Sequence, residues 1–173
     1  MMILSIDPGN EYSAYSLLDE KLRPVEFGKV KNHELLGIIE NMCSAYEVSS
    51  IDSAYKTTLP RFDHFAIEMI GHYGTGMPAG KTVFDTCVWI GRFTELYHNI
   101  TNAEPVYIMR KDEKINLCGN MKAKDGNIRQ ALIDRFGPVG TKKNPGWFYG
   151  VSKDVWSAIA VGVTFHDLYL KEQ

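Results

Sequence analysis

Three acids stand where their surroundings make a charge costly. Asp7 closes the run Met2-Ile3-Leu4-Ser5-Ile6, Glu68 sits inside Phe65-Ala66-Ile67-Glu68-Met69-Ile70, and Asp154 falls in the first turn of an apolar helix. An ionised carboxylate in an apolar element needs a partner. Several of them brought together repel one another unless a cation lies between them, and oxygen donors suit a hard divalent ion, Mg²⁺ or Mn²⁺. The chemistry open to such a cluster is that of a bound Lewis-acidic ion. Each acid also has a plainer reading. An Asp before Pro8-Gly9 is a common turn residue, Asp154 could simply complement its helix dipole, and Glu68 could lie on a solvated sheet edge.

The basic residues are unevenly spread. Residues 105 to 156 hold ten Lys or Arg against five acids, a local balance of +5 that leaves −7 for the rest of a chain whose net charge is −2. That asymmetry suits a protein that meets a polyanion on one side; a basic, solvated helical face is the alternative. Cys43, Cys87 and Cys118 are odd in number and form no Cys-x-x-Cys pair, so they read as reduced, half-buried thiols and give neither a disulfide framework nor a zinc site. There is no run of about 18 apolar residues and no basic leader, so a membrane is not expected and the protein is placed in the cytoplasm. A length of 173 residues fits a single domain over 1–173.

The elements that must position the acids follow from periodicity. Strands are expected at Met2 to Ile6, Tyr12 to Leu18 and Pro24 to Lys31, an antiparallel meander with tight connections. Leu35, Leu36, Ile38, Ile39 and Met42 give a helix from about His33 to Ala45, and residues 46 to 61 read as a polar connection. The Glu68 strand ends in a loop with four glycines in ten residues, Gly71 to Gly80. A helix from Thr82 to Asn99 follows, with Val83, Cys87, Ile90, Phe93 and Tyr97 along one face, and then a strand at Val106 to Met109. Asp125 caps an amphipathic helix that stops at Gly137-Pro138. After a loop ending in Trp147-Phe148-Tyr149, which read as core in preference to base-stacking residues, a final helix runs from Ser152 to Leu170. Its Ala158, Ala160 and Gly162 allow close approach to a sheet.

Ile3-Leu4-Ser5-Ile6-Asp7-Pro8-Gly9, Phe65-Ala66-Ile67-Glu68 and Asp154-Val155-Trp156-Ser157-Ala158-Ile159-Ala160-Val161-Gly162 together resemble the three motifs of RuvC-like Holliday junction resolvases of the ribonuclease H-like superfamily, bacteriophage versions in particular. The resemblance spans nearly the whole chain. It implies an α/β fold, a mixed five-stranded sheet with strands one to three antiparallel and helices on both faces. It implies a Mg²⁺-dependent endonuclease that resolves junctions by paired symmetric nicks, with two ions held by Asp7, Glu68 and Asp154 in a bacterial or phage-infected cell. A homodimer follows from the two symmetric cuts, and the Thr82 to Asn99 helix is the expected interface.

The family's fourth ligand, three residues before the last acid, falls on Val151; in a shifted register the corresponding position is Ser157. Asp125 is the nearby substitute. Lys114 is the expected phosphate-stabilising catalytic residue, Arg110, Lys111, Lys122 and Lys124 the expected DNA contacts, and His72 and Tyr73 the residues offered to the junction centre. Competing readings are a less selective flap, fork or RNA–DNA hybrid nuclease, a branched-DNA binding protein that does not cut, and half of an actin-like kinase; the short chain and the single Gly-rich loop oppose the last.

Overall fold

The computed structural model describes residues 1–44, 46–49, 56–59, 61–71 and 80–171, the two short segments by backbone alone. His72 and Tyr73 lie outside the described residues.

Strand β1 (Ile3–Asp7) lies at the centre of the main sheet and is covered on both faces, which is why it reads as an unbroken apolar run. It pairs antiparallel with β2 (Tyr12–Leu18), which pairs antiparallel with β3 (Pro24–Lys31). After α1 (Asn32–Cys43), the segments β4 (Tyr46–Ser49) and β5 (Lys56–Leu59) pair antiparallel as a separate ribbon. The expected polar connection across 46 to 61 is therefore corrected in part: the Thr and Val content that looked like loop polarity also favours extended backbone. β6 (His64–Met69) then pairs parallel with β1, and after α2 (Lys81–Thr101) β7 (Val106–Met109) pairs parallel with β6. The sheet order is β3-β2-β1-β6-β7, the expected mixed five-stranded arrangement.

Side chains alternate between the two faces. Leu4, Ile6, Leu17, Phe65 and Ile67 point towards α1 and α2 and meet Leu35, Ile39, Ile90, Phe93 and Tyr97. The expected face of α2 is buried at Ile90, Phe93 and Tyr97; Cys87 alone departs from it and is exposed, because Thr86 takes the buried position in that turn. On the other side lie α3 (Arg110–Cys118), α4 (Asp125–Phe136) and α5 (Lys153–Phe165), the last continued by a π-helical turn at His166–Leu170. Helices thus cover both faces. Every residue of α5 from Ala158 to Phe165 is buried, as befits a helix wedged between a sheet and other helices.

Gly162 makes that wedge possible. A Cβ there would come within 2.6 Å of Leu18 Cδ1 and 2.9 Å of Ser5 Oγ. The loop after α4 folds into a minimal ribbon, β8 (Gly140–Thr141) with β9 (Asn144–Pro145). It delivers Phe148 into the core and stacks Trp147 on Phe136 at 5.6 Å, leaving Tyr149 exposed. No described helix is long and apolar enough to cross a membrane.

Candidate active site

Parity and register bring the acids together. Asp7 lies two residues beyond Ser5 on β1, and Glu68 two beyond Ala66 on β6, so both face α5. The parallel register matches Ile6 with Ile67, so the next step places Asp7 beside Glu68 where both strands end. The turn after Asp7 is tied down: the Gly9 amide donates to Ser13 Oγ at 3.1 Å, Ser13 Oγ donates to Asn32 Oδ1 at 2.6 Å, and Asn32 Nδ2 donates to the Gly9 carbonyl at 2.8 Å. A Cβ at Gly9 would sit 2.3 Å from the Tyr12 carbonyl oxygen, so only glycine fits the Asp-Pro-Gly turn as it is closed here.

Asp7 and Glu68 lie close enough for each to perturb the other's ionisation, and Ser157 of α5 stands on the Asp7 side of the pair. Burial raises both carboxyls. Asp7 is pushed up to about 6 against the opposing pull of Arg110, and Glu68 to about 8, where the charge of Asp7 adds to desolvation. Burial and mutual repulsion thus oppose full ionisation of the pair near neutral pH, most strongly at Glu68. Asp154, in the first turn of α5, is near enough for its charge to be felt at Asp7. Its own carboxylate accepts a hydrogen bond from Lys29 Nζ at 2.6 Å.

Arg110 occupies the other flank. It was expected to contact DNA, yet its guanidinium is directed inwards, 2.7 Å from Glu113 Oε2, 2.6 Å from Asp125 Oδ1 and 3.7 Å from Glu68 Oε2. The cause is position: β7 ends at Met109, level with Met69, so the first residue of α3 stands beside the end of β6. Glu113 is fully buried, its Oε1 has no hydrogen-bond partner among the described residues, and burial pushes its carboxyl well up. Asp125 is not the cap of α4; the Asn127 side chain accepts from the Lys124 amide at 2.9 Å in that role, while Asp125 turns to Arg110. Lys114 is half-buried one turn beyond Arg110, and Lys111, Lys122 and Lys124 are exposed. Arg110, Asp125, Arg129, Val151, Asp154 and Trp156 line a cleft of about 410 Å³ beside the acids.

Among the described residues no three acidic, imidazole or thiol side chains converge as a finished cation cage. The donor set nonetheless fits a hard divalent ion. Asp7 and Glu68 are adjacent oxygen donors whose ionisation is opposed first by burial and only partly offset by Arg110, and Asp154 stands nearby, paired with the Lys29 ammonium. Lys29 and Glu113 were not singled out from the sequence. A lysine in an alternating strand looks like solvent-facing decoration, and Glu113 sits in the charged run Arg110-Lys111-Asp112-Glu113-Lys114.

No protein-family model matches the chain, and no curated protein sequence does. Solved structures do match. Thermus thermophilus RuvC in complex with a Holliday junction substrate superimposes with a TM-score of 0.66, covering 98% of this chain and 94% of that one at 14% identity. A second T. thermophilus RuvC structure gives 0.61, covering 96% and 95% at 16% identity. The fold is the RuvC-type, ribonuclease H-like resolvase fold. In this RuvC-like fold Asp7 and Glu68 occupy the ends of two neighbouring parallel strands, a position at which open α/β sheets commonly build their sites.

Proposed function

We propose that this protein is a divalent-metal-dependent endonuclease that cuts branched DNA, with the Holliday junction as its substrate and a homodimer as its working form. The observation that carries the reading is the Asp7–Glu68 pair: two half-buried carboxyls side by side at the ends of β1 and β6, with the charge of Asp154 close enough to be felt at Asp7. A purely structural role would leave such a pair as a cost without a return. Asp7, Glu68 and Asp154 would hold Mg²⁺ or Mn²⁺, and the bound ion would supply Lewis acidity towards a phosphodiester and an activated water.

The chain's own residues do the rest. Glu68 gives up its proton as the site loads, which restores full charge to the donor pair. Ser157 and Asp154 both come from α5, which Gly162 seats against β1 and β2, so that helix positions the two together on the Asp7 side of the sheet. Lys114, Lys111, Lys122 and Lys124 supply positive charge on the α3–α4 side, suited to holding the phosphate backbone. The RuvC neighbour is described with a Holliday junction, which supports that substrate for a chain of the same fold. A branched-DNA binder that does not cut is the second reading, favoured by Val151 at the position of the missing fourth ligand.

Cleavage of junction, fork, flap, RNA–DNA hybrid and linear duplex in Mg²⁺ separates these readings. The expected outcome is paired nicks in the junction, abolished by Asp7→Asn with junction binding retained. Cleavage undiminished in that variant would remove the catalytic assignment, and binding without cutting would select the second reading.

A further inference from the structure

Lys29 is placed at the carboxylate cluster by the sheet itself. Asp7 pairs with Ala14 across β1 and β2, and Ala14 pairs with Lys29 across β2 and β3, so the three form one row on the face covered by α5. From the far end of that row Nζ reaches Asp154 Oδ2 at 2.6 Å. Both side chains remain open to solvent, 44% and 43% exposed, and the exposed Tyr12 ring lies 5.9 Å from Nζ as a second resting place. Arg110 is different: it is held by Glu113, which is fully buried, and by Asp125. Of these two cations at the cluster, Lys29 is the one whose only charged partner among the described residues is a half-exposed acid that the metal needs.

We propose that Lys29 is a substrate-contact residue of this site, exchanging its partner as the site loads. Without a divalent ion its ammonium neutralises Asp154. When Asp154 turns to the ion, the ammonium is released at the same rim and takes a phosphate oxygen of the bound strand in place of the carboxylate. Lys29 and the divalent ion then compete for Asp154, while Lys29 and the DNA cooperate. The inference rests on the nuclease reading for its second half only, since the competition needs no DNA.

The test uses the full chain with Lys29→Met, which keeps the stem and removes the charge, and Lys29→Arg, which keeps the charge. Mn²⁺ titration calorimetry without DNA reads the first half. Lys29→Met should bind Mn²⁺ roughly two- to fivefold more tightly, the size of a half-exposed ion pair, and Lys29→Arg should stay near wild type. Junction binding in Ca²⁺ across a salt series reads the second half. Lys29→Met should lower the slope of log affinity against log salt by about one, the loss of a single phosphate contact, and Lys29→Arg should restore it. Equal or weaker Mn²⁺ binding by Lys29→Met would show that Lys29 merely orients Asp154 and would overturn the proposal. An unchanged salt slope would overturn the phosphate contact. Wild-type protein that fails to bind the junction would sink the nuclease reading instead, while the Mn²⁺ result would still decide the competition.

Discussion

Raising the pH in the absence of metal should destabilise this protein, and Glu68 should be the main reason. In the unfolded chain its carboxyl ionises near 4.5; in the folded protein burial and the charge of Asp7 hold it protonated to about 8. Between those values the folded state carries one more proton than the unfolded state, so stability is fully present below about 4.5 and declines as pH rises towards 8. The slope is about 1.4 kcal/mol per pH unit for one proton. Asp7 adds to it only up to about 6, so between pH 6 and 7.5 the Glu68 share alone amounts to about 2 kcal/mol. Asp167 acts in the opposite direction in another window: its pairing with Arg135 and Asn116 holds it to about 2, and the stability it gives is lost only on acidification below its ordinary value near 3.8.

Urea unfolding in EDTA at half-unit steps from pH 5 to 8 measures the slope. Glu68→Gln serves as the reference, since the other titratable groups are common to both proteins. Wild type and Glu68→Gln should be of similar stability near pH 5, and the variant should be the more stable by pH 8. Saturating Mg²⁺ should flatten or reverse the wild-type slope and leave that of the variant nearly unchanged. A wild-type stability that does not fall between pH 6 and 8, or a Glu68→Gln variant that is less stable at every pH, would refute the reasoning.

Four further outcomes are expected. Val151→Asp adds a carboxylate in the cleft beside Asp154 and should lower the Mg²⁺ concentration for half-maximal cleavage by about tenfold; Ser157→Asp sets another charge beside Asp7 and should destabilise the metal-free protein in urea. Gly162→Ala forces a Cβ against Leu18 and Ser5 and should cost about 1 to 3 kcal/mol of stability by the same measurement. Phe84 and Val88 are exposed one turn apart on α2, so Val88→Glu should give a monomer in sedimentation equilibrium if this helix is the dimer interface; an unaltered dimer would place the interface elsewhere.

The parts of the fold that were legible in the sequence are those with an unambiguous period. β1 declares itself as an apolar run closed by one acid and β6 as an apolar run interrupted by one, and those two acids meet at the candidate site. α5 shows in its small residues, and Gly162 does what the sequence suggested. What escaped is set by register across long separations. Nothing local to Lys29 indicates that Ala14 will stand between it and Asp7, and nothing local to Arg110 indicates that it will begin a helix beside the end of β6 and pair with Glu113 and Asp125. Glu113 differs from Asp112 only in which side of α3 it occupies, a difference of about 100° that the charged run conceals. The β4–β5 ribbon was missed because a short Ser- and Thr-rich stretch has the composition of a loop and the backbone preference of a strand.

The three acids of the site come from near the start, the middle and the last helix of the chain, and no two of them are near neighbours in sequence. Asp7 and Glu68 meet only when a parallel strand pairing has formed, and Asp154 joins them only when α5 has docked over it. A nascent or half-folded chain therefore has no assembled acid cluster. If the proposed nuclease reading holds, cutting has to wait for these long-range contacts, the kind that form slowly, so the topology itself would withhold the activity from an incomplete chain.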